Sequence, residues 1–173
     1  MDKYVFKPYN PISPALFEKE KIKLQNQLGN DVIIEHIGST AVDNLGGKGI
    51  IDVIVGIPKG KISFTEVIEK LEKAGYEHGE NADSLERIFF RKDRPDEVEK
   101  IRRYHIHVTY FDNNDWKETL RFRDNLRNNP QLIKKYEDLK NEVIRKAGQN
   151  GNLYRSLKQP FIDKYSKELL GIE

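Results

Sequence analysis

Residues 50–57 read Ile-Ile-Asp-Val-Ile-Val-Gly-Ile, an apolar run broken only by Asp52 and Gly56. A strand that is apolar on both faces has to be covered on both. That argues against an open antiparallel sheet with one wet face and for a sheet packed under helices. A carboxylate inside such a strand needs a partner or a purpose, because burying it unpaired is costly.

The rest of the chain supplies the covering elements. Ser13-Pro14 predicts a helix start with Ser13 as N-cap, and Phe17, Leu24 and Leu28 recur at helical spacing up to Gly29-Asn30. Asp31 to Ile37 predicts a strand, and residues 43–49, with three glycines, a loop. Ser63 and Glu66 form a capping-box pattern ahead of a helix that ends near Gly75. The pattern then predicts a loop at 77–84, a strand at 86–92, a hairpin loop at 93–99 and a strand at 104–111. In that last strand Tyr104, Ile106, Val108 and Tyr110 face one way and His105, His107 and Thr109 the other. Helices follow at 116–126, from Pro130 to Gly148 with Leu132, Ile133, Tyr136, Leu139, Val143 and Ile144 as the apolar stripe, and at 158–170 with Pro160 in the first turn. The expectation is one α/β domain over residues 1–173, with about four strands, five helices and a C-terminal helical section.

Composition narrows the function. Thirty Lys and Arg against 28 Asp and Glu leave a net charge of +2, which argues against a protein built chiefly to grip polyphosphate and makes nucleic acid an unfavoured partner. Zero Cys excludes a disulfide scaffold, a thiol nucleophile and Cys-based metal sites, and fits a reducing cytoplasm. No apolar run reaches the roughly 18–20 residues of a membrane span. Residues 1–9 lack an apolar signal core, so a cytoplasmic location is expected and no export signal is read.

The segment with the most chemistry runs from His36 to Val55. A strand ends in Gly38-Ser39-Thr40, a glycine-rich loop follows, and the next strand bears Asp52. Gly38 allows close backbone approach to a ligand, Ser39 offers a hydroxyl and an N–H to a phosphate, and Asp52 offers a carboxylate for a cation. A turn glycine, a capping serine and a structural aspartate are the alternative. Lys48 can reach a phosphate from the loop or be a solvated lysine. The stretch is not a P-loop, since the spacer and the Ser or Thr after the lysine are missing. Arg87 reads as an anion clamp or as an edge-strand ion pair. Arg121, Arg123 and Arg127 around Phe122 read as a solvated face rather than a nucleic-acid patch.

Taken in order, these blocks carry a resemblance. Glu35 to Val42, Lys48 to Asp52, Arg87 with Phe89-Phe90-Arg91, and His105 to Val108 follow the pattern of the GrpB family. So do Phe122-Arg123-Asp124, Asn129-Pro130, Tyr136, Leu139-Lys140, Tyr154, Lys158 and Pro160-Phe161-Ile162. The chain thus resembles GrpB proteins over nearly its whole length, and through them the nucleotidyltransferase-like superfamily. The resemblance implies a mixed sheet backed by helices and a pocket for a nucleotide or another phosphorylated small molecule, with Gly38, Ser39, Thr40 and Lys48 on the phosphates. Tyr154 and Lys158 then close the pocket, with packing as the rival role.

One departure matters. The superfamily holds divalent metals with two or three carboxylates. Asp52 takes the first position, but the second, two residues on, is Ile54, and the neighbouring strand offers His105 and His107. This donor set suits Zn²⁺, Mn²⁺ or Fe²⁺ better than Mg²⁺, with His36 as a fourth candidate ligand. A hydrogen-bonded polar pocket around Asp52, or a general base at His105 or His107, are the alternatives. No organic cofactor is implied. Three functions follow: nucleotidyl transfer, with Asp52, His105 and His107 as catalytic groups; ligand binding without chemistry; and an RNA-binding accessory role. The sequence sets no oligomeric state.

Overall fold

The computed structural model describes residues 5–167. In chain order the elements are α1 (Ser13–Leu28), β1 (Ile33–Ile37), β2 (Ile51–Ile57), α2 (Phe64–Lys73), β3 (Glu77–His78), β4 (Arg87–Asp96), β5 (Lys100–Tyr110), α3 (Asn114–Asn128), α4 (Pro130–Ala147) and α5 (Gly151–Ser166). The strands form one mixed sheet in the order β1-β2-β5-β4-β3. β2 runs parallel to β5, and the other neighbours are antiparallel. This is the α/β class that the apolar strand demands.

Period-two alternation sorts the residues of β2 and β5 onto two faces. Ile51, Val53, Val55 and Ile57 join Ile106, Val108 and Phe90 against Phe17, Leu24 and Leu28 of α1 and Val67 and Leu71 of α2. On the opposite face Ile54 packs with Ile37 and with Trp116 of α3. A second cluster, including Val42, Leu45, Leu126, Leu132 and Tyr136, packs the C-terminal helices onto the glycine-rich loop. Among the described helices none is long and apolar enough to cross a membrane.

Local chemistry fixes the element ends, and several differ from the pattern read off the sequence. Ser63 caps α2 as expected, its hydroxyl accepting from the Glu66 N–H at 3.2 Å. Ser13 does not cap α1: Ile12 is the N-cap, Ser13 is already helical, and its buried Oγ has no partner. The segment at 77–84 is not all loop, because Glu77 and His78 pair with Arg91 and Phe90 as β3 and make a fifth strand. The hairpin of β4 and β5 runs further than expected, through Asp96↔Lys100. Charge holds that extension: Arg103 forms a two-point pair with Asp93, at 2.8 and 2.7 Å, and Arg102 reaches Asp96. Pro95 is tolerated because β3 pairs only with Arg91 and Phe90, leaving that outer edge open. α5 begins at Gly151, seven residues before the expected start. Asn150 caps it by accepting from the N–H groups of Asn152 and Leu153, so Pro160 lies inside the helix. The expected end of this helix at Leu170 lies outside the described residues.

A buried ionic knot ties α1 to the sheet. Glu20 is 1% exposed and takes two bonds from Arg94, at 2.6 and 2.9 Å, and one from the Tyr76 hydroxyl at 2.7 Å. Removing one member strands the other charge. Glu20→Ala is therefore expected to cost about 3 kcal/mol, read as a lower midpoint in urea unfolding; an unchanged midpoint would show that the knot contributes nothing.

Candidate functional site

The parallel register sets Asp52 directly beside His105 and Ile54 beside His107. Because the side chains alternate, Asp52, His105 and His107 share the face turned away from α1 and α2. Asp52 Oδ1 lies 3.2 Å from His105 Nδ1 and 4.0 Å from His107 Nε2. Burial pushes the Asp52 carboxyl up, but the two imidazoles outweigh it and hold the group well below the usual carboxylate range. Asp52 is thus an anion at neutral pH. Burial also lowers the His107 pKa, Asp52 opposes that shift, and Arg87 adds to it.

One ligand atom from each of Asp52, His105 and His107 falls within a mutual separation of 4.8 Å. Two imidazole nitrogens and a carboxylate oxygen form a donor set that fits a divalent transition metal, whereas Mg²⁺ demands oxygen. Arg87 places Nη1 3.4 Å from His107 Nδ1. A guanidinium only donates, so His107 carries its proton on Nε2, facing Asp52. Ligation through Nε2 displaces that proton and gives up the long Arg87 contact.

Gly38 shapes the floor. Its φ is +72°, and a Cβ there would stand 2.9 Å from Asp52 Cβ and closer still to Oδ2. The space its missing side chain leaves is thus filled by Asp52 itself, where the sequence reading expected a ligand. Ser39 lines the same cleft, its hydroxyl packed against Gly47.

The cleft measures about 1000 Å³ and is walled by Lys48, Arg87, Phe89, Arg91, Arg103, Tyr136, Lys140, Tyr154, Arg155 and Lys158 around Asp52 and the two histidines. Three of the arginines have acidic partners nearby: Arg87 with Asp115 at 2.7 Å, Arg91 with Glu77, and Arg103 with Asp93 at 2.7 Å. The lysines are arranged differently. Lys48 and Lys158 both stand over the Tyr154 ring, at 4.8 and 4.5 Å from its centroid, and Lys140 stands 5.0 Å over Tyr136. Burial, then Lys158, lowers Lys140 to about 7; burial, then Lys48, lowers Lys158 to about 8.

Lys140 is the residue whose role in the cleft the sequence reading missed. It is 3% exposed and donates to the Gly46 carbonyl, while Glu137 accepts from the Gly46 N–H at 2.9 Å. One turn of α4 thus grips both sides of a loop peptide and fixes the approach to Lys48. The signal was available: Lys140 falls on the buried stripe of Leu132, Tyr136, Val143 and Ala147. A lysine at a core position is a functional candidate.

Two predicted site residues lie elsewhere. His36 pairs with Val53 and not with Asp52, so its ring points to the opposite face of the sheet, stacked on Phe17 at 4.7 Å. It does not join the metal-type cluster, and burial lowers its pKa to about 4. Thr40 also turns that way, donating to the Ile50 carbonyl at 3.0 Å and meeting His36 Nε2 at 3.1 Å. It braces the loop and does not line the cleft. Arg123 pairs with Glu35, and Arg121 and Arg127 donate to backbone carbonyls, so these arginines serve internal contacts.

Comparison with known proteins places this fold. The family profile described as GrpB protein matches residues 3–168. The glutamate-rich protein GrpB of Alkalihalophilus pseudofirmus is 33% identical over 156 residues, covering 89% of this chain and 88% of that one. The UPF0157 protein YqkA of Bacillus subtilis is 30% identical over 156 residues, and there the chain spans 43% of the relative's length. The crystal structure of the conserved protein GrpB from Enterococcus faecalis superimposes with a TM-score of 0.78 at 30% identity, covering 95% of this chain and 96% of that one. The chain belongs to the GrpB family.

The charge of the lysine cluster depends on pH near neutrality. Lys140 and Lys158 face Lys48, Arg155, Glu137 and Asp52, and they lose half their charge at about pH 7 and about pH 8. A bound anion favours the charged amines, so it raises both pKa values and draws in protons. Affinity for inorganic pyrophosphate is expected to fall as pH rises from 7 to 8.5. Calorimetry in two buffers of different ionisation enthalpy would report net proton uptake; pH-independent affinity without uptake would rule this out.

Proposed function

We propose that the cleft binds a nucleotide or another phosphorylated small molecule over a divalent transition metal held by Asp52, His105 and His107, and that the chain is a nucleotidyltransferase-like protein which transfers a nucleotidyl group. The observation that carries this reading is the placement of a metal-type donor set opposite three lysines in one cleft. Charge supports it. Lys48, Lys140, Lys158 and Arg155 together with a divalent ion outweigh the Asp52 carboxylate, which suits a polyanion such as a triphosphate.

The chain's own groups divide the work. Lys48 and Lys158 attract and orient the phosphates, and Lys140 holds the loop that carries Lys48. Ser39 offers a hydroxyl at the cleft wall. Before a metal binds, Arg87 keeps His107 in one orientation. A bound metal supplies Lewis-acid polarisation of a phosphoryl oxygen. In the alternative without a metal, His105 or His107 is open to take the proton of an incoming hydroxyl.

A second reading, binding without turnover, has its own support. Ile54 is 0% exposed beneath Trp116, so the position that carries the second carboxylate in catalytic relatives of this superfamily is apolar here. Multiple-turnover assays with labelled nucleoside triphosphates separate the two.

Both readings share one test. Wild type and Asp52→Asn are titrated with Zn²⁺, Mn²⁺ and Mg²⁺, then melted with and without nucleotides. Ligand at a hundredfold excess over Kd stabilises by about 2.7 kcal/mol, an upward shift of roughly 5–10 °C at this chain length. The expected result is a shift with Mn²⁺ or Zn²⁺ plus a nucleotide, lost in Asp52→Asn. No metal bound by the wild type, and no shift with any nucleotide, would reject the proposal.

A further inference from the structure

Lys158 is placed differently from the other lysines of the cleft. Its amine rests on the Tyr154 ring, and among the described residues no carboxylate or carbonyl accepts a hydrogen bond from it. Lys140, by contrast, is buried and donates to the Gly46 carbonyl. Lys158 is half-buried in the cleft wall, open to whatever the cleft collects.

We propose that Lys158 is an acylation site for acyl phosphates, the mixed anhydrides of a carboxylic acid and phosphate. The cations at Lys48 and Arg155 collect the phosphate end, which sets the acyl carbon beside the Lys158 amine on the shared Tyr154 ring. The amine nitrogen adds to the carbonyl carbon, and the C–O bond to phosphate breaks with its electron pair. Inorganic phosphate leaves, the nitrogen gives its proton to water, and a neutral amide remains. No oxidant or reductant is needed. Burial and the Lys48 charge keep a useful fraction of this amine deprotonated near neutral pH, in support of the geometry. Acylation removes one of the three lysine charges and so weakens anion binding, making the site a sensor of acyl-phosphate level. The inference rests on the anion-binding part of the reading above and not on the metal.

Lys164 is a matched control. It lies on the same helix, also stands over a tyrosine ring (5.2 Å from the Tyr165 centroid), but is exposed and outside the cleft. The full chain is incubated with acetyl phosphate at pH 7.5, and acetylation at each lysine is followed by peptide mass spectrometry. Lys158 is expected to react about tenfold faster than Lys164 or more. Sulfate is expected to slow Lys158 alone, and Lys48→Ala to narrow the gap. Acetic anhydride, which carries no phosphate, is expected to shrink the preference as well. Equal rates at Lys158 and Lys164 would overturn the inference, as would a preference that neither sulfate nor the change of reagent alters. Asp52→Asn separates this from the metal reading: loss of metal binding there leaves Lys158 acetylation in place, whereas equal rates in a wild type that still binds nucleotide would sink the acylation site alone.

Discussion

The parallel pairing of β2 with β5 is the contact on which both the core and the cleft depend. Asp52 stands against His105 and Val53 against Ile106. Alternate residues of this one register build the packing under α1 and α2 and the polar floor under the C-terminal helices. A slip of one residue would send Asp52 into the apolar layer and Val53 into the cleft. The apolar residues of β2 therefore do more than fill space. Their burial locks the register that brings one carboxylate and two imidazoles together.

The other wall of the cleft is held at a cost. Burying an ammonium disfavours its charge, and placing two more lysines beside it disfavours it further. The low pKa values of Lys140 and Lys158 measure that cost. Binding at rigidly placed groups is favourable because little ordering remains to be done when the ligand arrives. The placement comes from the loop's own anchors: Gly46, gripped at its N–H by Glu137 and at its carbonyl by Lys140, and the Gly49 carbonyl held by the buried Arg102.

What could be read in the sequence follows from which rules are local. The meeting of Asp52 with His105 and His107 was legible only on condition that their strands are neighbours: alternation puts both histidines on one face of β5, but only the parallel pairing brings that face to Asp52. The absence of His36 from that meeting was not. Its face depends on the antiparallel register that pairs it with Val53, and nothing within residues 31–37 sets that register. The start of α5 was misread for the opposite reason. Asn150 is a local cap, but Pro160 drew the expected start toward itself, and a proline inside a helix is disfavoured yet present here. The extended hairpin escaped because cross-strand ion pairs such as Arg103 with Asp93 are visible only once the strands are paired.

The second carboxylate position shows how the two halves of the fold constrain the chemistry. Ile54 faces the same side of β2 as Asp52, yet it lies under the Trp116 ring and beside Ile37, with no solvent contact. A carboxylate there would sit in an apolar cluster with no cation beside it, and it would raise its pKa or disrupt the packing of α3. Packing therefore leaves no room for a second carboxylate beside Asp52 on β2. The donors that remain come from β5, where period two places His105 and His107 on the open side of Asp52. A site built this way offers two imidazole nitrogens and one carboxylate oxygen. The ammonium groups of the cleft come instead from the glycine-rich loop, α4 and α5, as Lys48, Lys140 and Lys158.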